Sequence, residues 1–176
     1  MKKITFICLG NICRSPMAEF VMKDLIKKNK LEELFFITSA GTSGEHDGEG
    51  MHFGTKTKLQ SLNIEHQNFK SKKLTQKLCD ESDFLITMDN SNFDNVLKKF
   101  NNTQNKLLKM TDFASDLGYD EVPDPWYSGN FDETYKIISL ACKNLLTYLK
   151  NKNYLKSLKA YLCSMEALPK MPPWCI

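Results

Sequence analysis

The segment Cys8–Ser15, which reads CLGNICRS, joins a short apolar run to a helical pattern near the N-terminus. A loop this tight turns its main-chain N–H groups inward, because the first turn of a helix leaves its N–H groups without partners. Such a concavity binds a tetrahedral dianion. Gly10 permits close approach of the backbone, and Asn11 tolerates a left-handed conformation. The segment therefore has the features of a phosphate-binding loop.

Cys8 and Arg14 add chemistry to this loop. Arg14 is the only arginine among 24 basic residues, and a guanidinium binds phosphate through two parallel hydrogen bonds. The inward N–H groups, the helix dipole, Arg14 and a hydrogen bond from Ser15 all favour the thiolate of Cys8. A thiolate beneath a bound phosphate is placed for in-line attack on phosphorus. We predict a nucleophilic Cys8, a clamping Arg14 and a phosphate-binding set of Leu9, Gly10, Asn11, Ile12, Cys13, Arg14 and Ser15.

The spacing of Cys8 and Arg14 alone fits a buried cysteine beside a capped helix equally well. We predict that Ser15 caps the helix after the loop and that Pro16 takes its first position. The apolar strand before the loop, Ser15-Pro16 after it and the amphipathic helix that follows favour the phosphate loop.

Asp124 is the candidate proton donor for the leaving oxygen. It lies in the sequence EVPDPWY, where the flanking prolines favour an extended backbone. General acid catalysis contributes ~10²–10⁴ in rate, and the same carboxylate then serves as the base that activates water. Trp126 and Tyr127 can form an aromatic wall for a flat substrate. Without the cysteine loop, an ordinary acidic turn is the better explanation of these residues, whereas the loop favours the acid.

Strand-like and helix-like patterns alternate along the chain, which predicts an α/β fold with a parallel sheet covered on both faces. In such sheets the ligand lies beyond the carboxyl ends of the strands. The predicted strands are Lys3–Cys8, Phe35–Ala40, Phe84–Met88 and Lys106–Met110. Helices are predicted from Ser15-Pro16 onward and over Gly54–Leu62, Leu74–Cys79, Asn92–Phe100 and Asp132–Lys150. The predicted loops include Gly41–Gly50 and Thr111–Gly129.

Composition limits the alternatives. The chain has 176 residues, 41% of them hydrophobic and 26% charged, with a net charge of +3, which predicts one globular domain and no nucleic-acid partner. We predict a cytoplasmic protein, because no run is long enough for a membrane span and the N-terminus does not fit a secretion signal. The six cysteines form no CxxC motif and the three histidines show no ligand spacing, which argues against a metal site or a disulfide scaffold.

The pattern changes after about residue 153. We predict a domain over residues 1–153 and an extension over 154–176 that continues a helix and then becomes irregular or disordered.

Four segments together resemble the low-molecular-weight protein tyrosine phosphatases: Cys8–Pro16, Ser39–Ser43, Met88-Asp89 and Asp124-Pro125. The similarity runs in order over roughly residues 3–150. It implies a four-stranded parallel sheet flanked by helices, flavodoxin-like in arrangement (phosphotyrosine phosphatase I-like). The implied activity is hydrolysis of phosphotyrosine and aryl phosphomonoesters through a phosphocysteine intermediate, with no metal and no cofactor.

The resemblance also implies roles for individual residues. Asn11, Ser15, Ser39 and His66 match positions that hold the phosphate loop. Cys13 matches a cysteine that forms a reversible disulfide with Cys8 and protects it from over-oxidation. The implied partners are a phosphotyrosine-containing protein or a small aryl phosphate, with inorganic phosphate as product and inhibitor. We expect a monomer or a weak homodimer that binds neither nucleic acid nor a membrane.

Glu45 departs from the family pattern, in which an aromatic residue often stands on the rim of the cleft. We expect this acid to weaken the grip on an aromatic ring and to disfavour acidic peptides, with Trp126 and Tyr127 compensating from the other wall.

The sequence argues against two rival functions. An arsenate reductase on the same fold would need further cysteines near the third strand, and residues 84–90 contain none. A silent phosphate-binding module would need neither a nucleophile nor an acid.

Overall fold

The computed structural model describes residues 1–151 of the chain. The chain divides into two compact units, residues 1–144 and residues 145–176. Every residue of the candidate site lies in the first unit. In the second unit, the described residues continue the last helix to Asn151. The extension predicted over residues 154–176 lies outside the described residues.

Four strands, β1 (Lys2–Cys8), β2 (Phe35–Gly41), β3 (Phe84–Thr87) and β4 (Leu107–Lys109), form one parallel sheet. Their order across the sheet is β2-β1-β3-β4. The central strand β1 is buried from Ile4 to Cys8, which agrees with a strand that is covered on both faces. The fold class predicted from the sequence is confirmed.

Helices connect and flank the strands: α1 (Arg14–Lys28), α2 (Phe53–Ser61), α3 (Gln76–Glu81), α4 (Asn90–Lys99), α5 (Pro125–Ser128) and α6 (Phe131–Asn151). Ile7 and Leu85 belong to a buried apolar cluster that includes Val96 of α4 and Cys79 of α3. Helix α1 packs against β1 and β2. None of the described helices is long and apolar enough to cross a membrane.

Two local predictions are wrong. Ser15 does not cap α1, because the helix begins at Arg14 and its N-cap is Cys13; the Ser15 hydroxyl is used elsewhere, as described below. Pro16 is therefore the third helical residue rather than the first, still within the turn whose N–H groups lack helical partners. The stretch predicted as one loop over Thr111–Gly129 contains two short 3₁₀ helices and α5.

Candidate active site

The site lies where the carboxyl ends of β1, β2 and β3 meet. Cys8 is the last residue of β1, the loop after β2 carries Glu45, and Asp89 follows β3. The segment around Asp124 reaches the same edge, because the Val122 N–H donates to the Met88 carbonyl at 2.8 Å. Parallel strands thus bring together residues that are more than 100 positions apart in the chain.

Cys8 is 3% exposed, and its sulfur lies at the base of the loop. It accepts hydrogen bonds from the Ser15 hydroxyl at 3.1 Å and from the Asn11 N–H at 3.3 Å. Asn11 stands in the left-handed region at φ 55°, which turns its N–H toward the sulfur. Both donors favour a negative charge on the sulfur.

Asn11 is the centre of the buried network that shapes the loop. Its side-chain amide donates to Ser15 Oγ at 2.9 Å and to Ser39 Oγ at 2.8 Å. Its side-chain oxygen accepts the Lys72 N–H at 2.9 Å. The Ser39 hydroxyl in turn donates to the buried carboxylate of Glu19. One amide therefore joins the loop to β2 and to the segment after α2.

Glu19 and Lys72 close this network on the side away from Cys8. Glu19 also pairs with Lys23, and the Lys72 ammonium donates to Thr38 Oγ1. Burial lowers the pKa of Lys72, whereas the charge of Glu19 opposes that shift.

His66 lies apart from the network, although the resemblance implied a loop-supporting role. Its Nδ1 pairs with the Ile64 carbonyl at 2.8 Å, and its ring meets the edge of Phe20 at a centroid distance of 6.4 Å. Asn63 and Asn68 on either side adopt left-handed conformations, each within a turn of its own. Among the described residues, no hydrogen bond joins His66 to the phosphate loop.

Arg14 is almost fully buried and connects three parts of the site. Its Nη1 donates to Asp89 Oδ2 at 2.6 Å and to the Val122 carbonyl at 3.2 Å, and its Nη2 donates to Asp124 Oδ2 at 2.6 Å. Burial opposes the charge of the guanidinium, but the negative charges of Cys8, Asp124 and Asp89 outweigh it and raise the pKa of Arg14. Arg14 Nε is buried and has no hydrogen-bond partner among the described residues. Because an orphaned buried donor is costly, this N–H marks a place for an acceptor.

Asp124 is held from two sides. Its Oδ1 accepts the Trp126 N–H at 3.1 Å, which makes it the N-cap of α5, and its Oδ2 accepts from Arg14. Pro125 at the first helical position suits this turn. The carboxylate is partly exposed toward the cavity that contains Cys8.

A cavity of about 160 Å³ opens above Cys8. All the predicted rim residues line it, whereas Asn11 and Ser15 of the predicted phosphate-binding set are not part of its lining. The residues that line it are Cys8, Leu9, Gly10, Ile12, Cys13, Arg14, Glu45, His46, Asp124, Trp126 and Tyr127. Trp126 and Tyr127 are 54% and 82% exposed, so they form an outer wall. Glu45 is exposed on the facing side.

Cys13 lies in the same cavity with Cys8. Burial, followed by the negative charges of Asp124 and Cys8, raises the pKa of Cys13 to about 12. Its disulfide with Cys8 stays a prediction. Among residues 1–151, no group of three His, Cys, Asp or Glu side chains could hold a metal ion.

The sequence analysis assigned no role to four residues of the site. Asp89 had the signal of an acid directly after a strand, where it caps α4 and accepts from Arg14. Glu19 had the signal of a charge within the apolar pattern of α1. His46 approaches Gly10 so closely that an added Cβ there would meet its ring at 2.9 Å. No local sequence pattern around His46 or Lys72 predicts that either residue belongs to the site.

Comparisons with known proteins agree with this geometry. The model of the family "Low molecular weight phosphotyrosine protein phosphatase" matches residues 3–155. The low molecular weight protein-tyrosine-phosphatase YfkJ of Bacillus subtilis is 35% identical over 157 residues, which cover 88% of this chain and 100% of the relative. PtpA of Staphylococcus saprophyticus, with the same description, is 36% identical over 149 residues, which cover 85% and 94%.

Solved structures give the same result. The crystal structure of Bacillus subtilis YfkJ has a TM-score of 0.83 at 34% identity and covers 86% of this chain and 96% of that chain. The solution structure of the low molecular weight protein tyrosine phosphatase from Campylobacter jejuni is 82% identical, with a TM-score of 0.70 and coverages of 85% and 96%.

Proposed function

The chain belongs to the low molecular weight phosphotyrosine protein phosphatase family, and we propose that Cys8, Arg14 and Asp124 carry out its reaction. The protein is a protein-tyrosine phosphatase, a hydrolase that dephosphorylates its substrate. The proposal assigns Cys8 as nucleophile, Arg14 as phosphate clamp and Asp124 as general acid and base.

In the first step the Cys8 thiolate attacks phosphorus on the side opposite the ester oxygen. The S–P bond forms as the P–O bond breaks, and Asp124 gives its proton to the departing phenolic oxygen. The main-chain N–H groups of Ile12, Cys13 and Arg14 donate no hydrogen bond to the described backbone. Together with Arg14 they are available to the equatorial phosphate oxygens, where charge builds up in the transition state.

In the second step the Asp124 carboxylate takes a proton from water, and the oxygen of that water attacks phosphorus. The S–P bond breaks and Cys8 leaves as a thiolate. The hydrogen bonds from Ser15 and Asn11 to the sulfur stabilise that leaving group. Inorganic phosphate is the product, and it competes with substrate for the same loop.

Arg14 must exchange partners during this cycle. A bound phosphate offers acceptors to the buried, unpartnered Arg14 Nε and competes with Asp124 for Nη2. When Nη2 turns to the phosphate, the Asp124 carboxyl is released toward the leaving oxygen. Asp89 keeps Nη1 in place throughout, which preserves the orientation of the guanidinium.

The mouth of the cavity favours a substrate that has an aromatic leaving group and few negative charges beside it. Trp126 and Tyr127 offer apolar faces, whereas Glu45 brings a carboxylate without a hydrogen-bond or ion-pair partner among residues 1–151. A like charge on the substrate is repelled there. The proposed partner is a phosphotyrosine-containing protein without acidic neighbours at the phosphotyrosine, or a small aryl phosphate. The cytoplasmic location and the monomeric or weakly dimeric state stay predictions.

The observation that carries the proposal is the Arg14–Asp124 pair at 2.6 Å in one cavity with the hydrogen-bonded sulfur of Cys8. Steady-state kinetics of wild type and Cys8→Ser on phosphotyrosine, phosphoserine and p-nitrophenyl phosphate test it. We expect Cys8→Ser to abolish turnover and to keep phosphate binding, measured as a rise in melting temperature with added phosphate. Cys79→Ala removes a thiol in the core, outside the cavity, and serves as the control. Surviving turnover in Cys8→Ser would refute the assignment of the nucleophile.

A further inference from the structure

We infer that His52 is a positioning residue whose ring holds the segment carrying Asp124 against the phosphate loop. This inference rests on the proposed function, because it concerns the placement of the general acid. His52 lies at the start of α2, outside the residues that line the cavity.

The backbone and one ring nitrogen of His52 are fixed to the loop side of the site. Its N–H donates to the Ile12 carbonyl at 2.8 Å, so it is bonded directly to the phosphate loop. Its Nδ1 accepts the Gly54 N–H at 3.1 Å, which makes it the N-cap of α2. Nδ1 is thus an acceptor, which places the proton of a neutral ring on Nε2. These two bonds leave the ring little freedom to turn.

The fixed ring contacts both ends of the segment that follows Asp124. The indole of Trp126 meets it edge to face at a centroid distance of 5.4 Å and an angle of 69°. The ring of Phe131 stacks on it at 5.3 Å and 9°. Aromatic pairs in these geometries are attractive beyond the area they bury. One imidazole therefore bridges the first and last residues of the turn 126–131.

Gly54 makes the close packing of Phe131 possible. A Cβ at Gly54 would lie 2.2 Å from the Phe131 ring, so a side chain there would push Phe131 away from α2. The absence of a side chain thus lets Phe131 reach His52.

The segment that follows Asp124 needs such a contact because its outer side chains are exposed to solvent. Trp126 and Tyr127 are largely exposed, and Gly129 at the end of α5 adopts the left-handed conformation. The Trp126 N–H donates to the Asp124 carboxylate, so a shift of Trp126 moves the acid directly. Lys58 pairs with Asp132 of α6 at 2.6 Å, which secures the far end of the turn but not the acid. His46 gives Trp126 a second, looser contact at 6.1 Å.

A small displacement of Asp124 affects the substrates unequally. Misplacing a reacting group by about 1 Å costs up to ~10²-fold. Phenolate is a poor leaving group and needs the proton, whereas p-nitrophenolate leaves more readily without it. Loss of the His52 ring should therefore lower kcat/KM for phenyl phosphate much more than for p-nitrophenyl phosphate.

Two variants separate the ring of His52 from its capping nitrogen. His52→Asn keeps an acceptor for the Gly54 N–H but has no aromatic ring, and His52→Phe keeps a ring but loses the acceptor. Phe53→Ala is the matched control, since Phe53 is the adjacent, 77% exposed aromatic residue. Each variant is assayed for kcat/KM on both substrates and for melting temperature, beside Asp124→Asn as the reference for full loss of the acid.

We expect His52→Asn to lose ~10-fold on phenyl phosphate and about 2-fold on p-nitrophenyl phosphate, a fraction of the Asp124→Asn effect. His52→Phe should keep the wild-type ratio of the two substrates and melt about 2–4 °C lower. Phe53→Ala should match wild type in both. The inference would be overturned if His52→Asn left the ratio of the two substrates unchanged, or if His52→Phe changed that ratio as much as His52→Asn does. A wild-type ratio in Asp124→Asn would instead refute the proposed acid.

Discussion

The two halves of the active site are built in different ways. The phosphate loop is buried and fixed by hydrogen bonds: Asn11, Ser15 and Ser39 are fully buried and bonded to one another. The acid segment is exposed at Trp126 and Tyr127 and is held by ring contacts, by the ion pair to Arg14 and by the hydrogen bond from the Val122 N–H to the Met88 carbonyl. The contrast suggests that the binding half is preorganised, whereas the acid half can shift as Arg14 changes partners.

Chemistry explains why the halves differ. Stabilising a transition-state dianion requires donors that do not reorganise during the reaction, and a buried network supplies them. A general acid must give and take a proton and let the leaving group out, which favours an accessible carboxyl. Arg14 belongs to the phosphate loop and bonds the Asp124 carboxylate directly, so it couples the two halves.

Replacing Arg14 should have the largest effect, because it breaks both halves at once. Arg14→Lys keeps the charge but loses the planar fork that reaches Asp89, Asp124 and the phosphate. We expect kcat/KM for p-nitrophenyl phosphate to fall by ~10²–10³. Lys23→Arg, at an exposed position of α1, is the control for exchanging lysine and arginine outside the cavity. Near-normal kinetics in Arg14→Lys would show that the planar guanidinium is not required.

Replacing Asp124 should damage the acid half alone. Asp124→Asn keeps an oxygen for the Trp126 N–H, so α5 keeps its cap. We expect a loss of ~10² in kcat/KM for phenyl phosphate and a smaller loss for p-nitrophenyl phosphate. Phosphate binding should persist, because the loop is intact. Equal losses across leaving groups would contradict the role of Asp124 as acid.

Changing Glu45 should alter substrate preference without touching either half. We expect Glu45→Gln to raise kcat/KM by about 2–5-fold for phosphotyrosine peptides with acidic neighbours and to leave peptides with neutral neighbours unchanged. The gain should shrink at high salt, since the charge is exposed. Glu33→Gln removes an equally exposed acid outside the cavity. The same gain in Glu33→Gln would point to net charge rather than to the rim.

Replacing Cys13 should have the smallest effect of the four changes. This experiment compares the reactivity of the two cysteines of the loop. The pKa of Cys13 is raised to about 12, so at pH 7 it remains a thiol and reacts slowly. We expect iodoacetamide at pH 7 to modify Cys8 first, and Cys13→Ser to leave the rate of Cys8 modification nearly unchanged. Mass spectrometry of the proteolysed protein identifies the modified cysteine. Faster labelling of Cys13 would reverse the assignment of the reactive thiol.

The sequence predicts the phosphate loop well because its signal is local. A strand, a glycine turn, an arginine and a helix follow one another within 20 residues, and the bonds from Asn11 and Ser15 to Cys8 span only a few positions. The strands were predicted for the same reason, and their ends differ from the structure by one residue or so.

The acid half was predicted only in part, because its contacts are long-range. Asp124 was identified by its prolines, but no local pattern shows that His52 meets Trp126 or that Asp89 shares Arg14 with Asp124. Ser15 was assigned two roles, and the structure shows its hydrogen bond to the Cys8 sulfur but not the helix cap, because α1 begins one residue earlier. The resemblance places His66 in the network, whereas in the structure its Nδ1 pairs with the nearby Ile64 carbonyl.

The central claim is that Cys8 carries the phosphoryl group, and trapping of the intermediate tests it most directly. Asp124→Asn, which is slow to activate water, is mixed with p-nitrophenyl phosphate, quenched in acid and digested for mass spectrometry. We expect one phosphoryl group on the peptide that contains Cys8, and none when Cys8→Ser is added to the variant. A phosphoryl group on any other residue, or turnover with no adduct at all, would contradict the account.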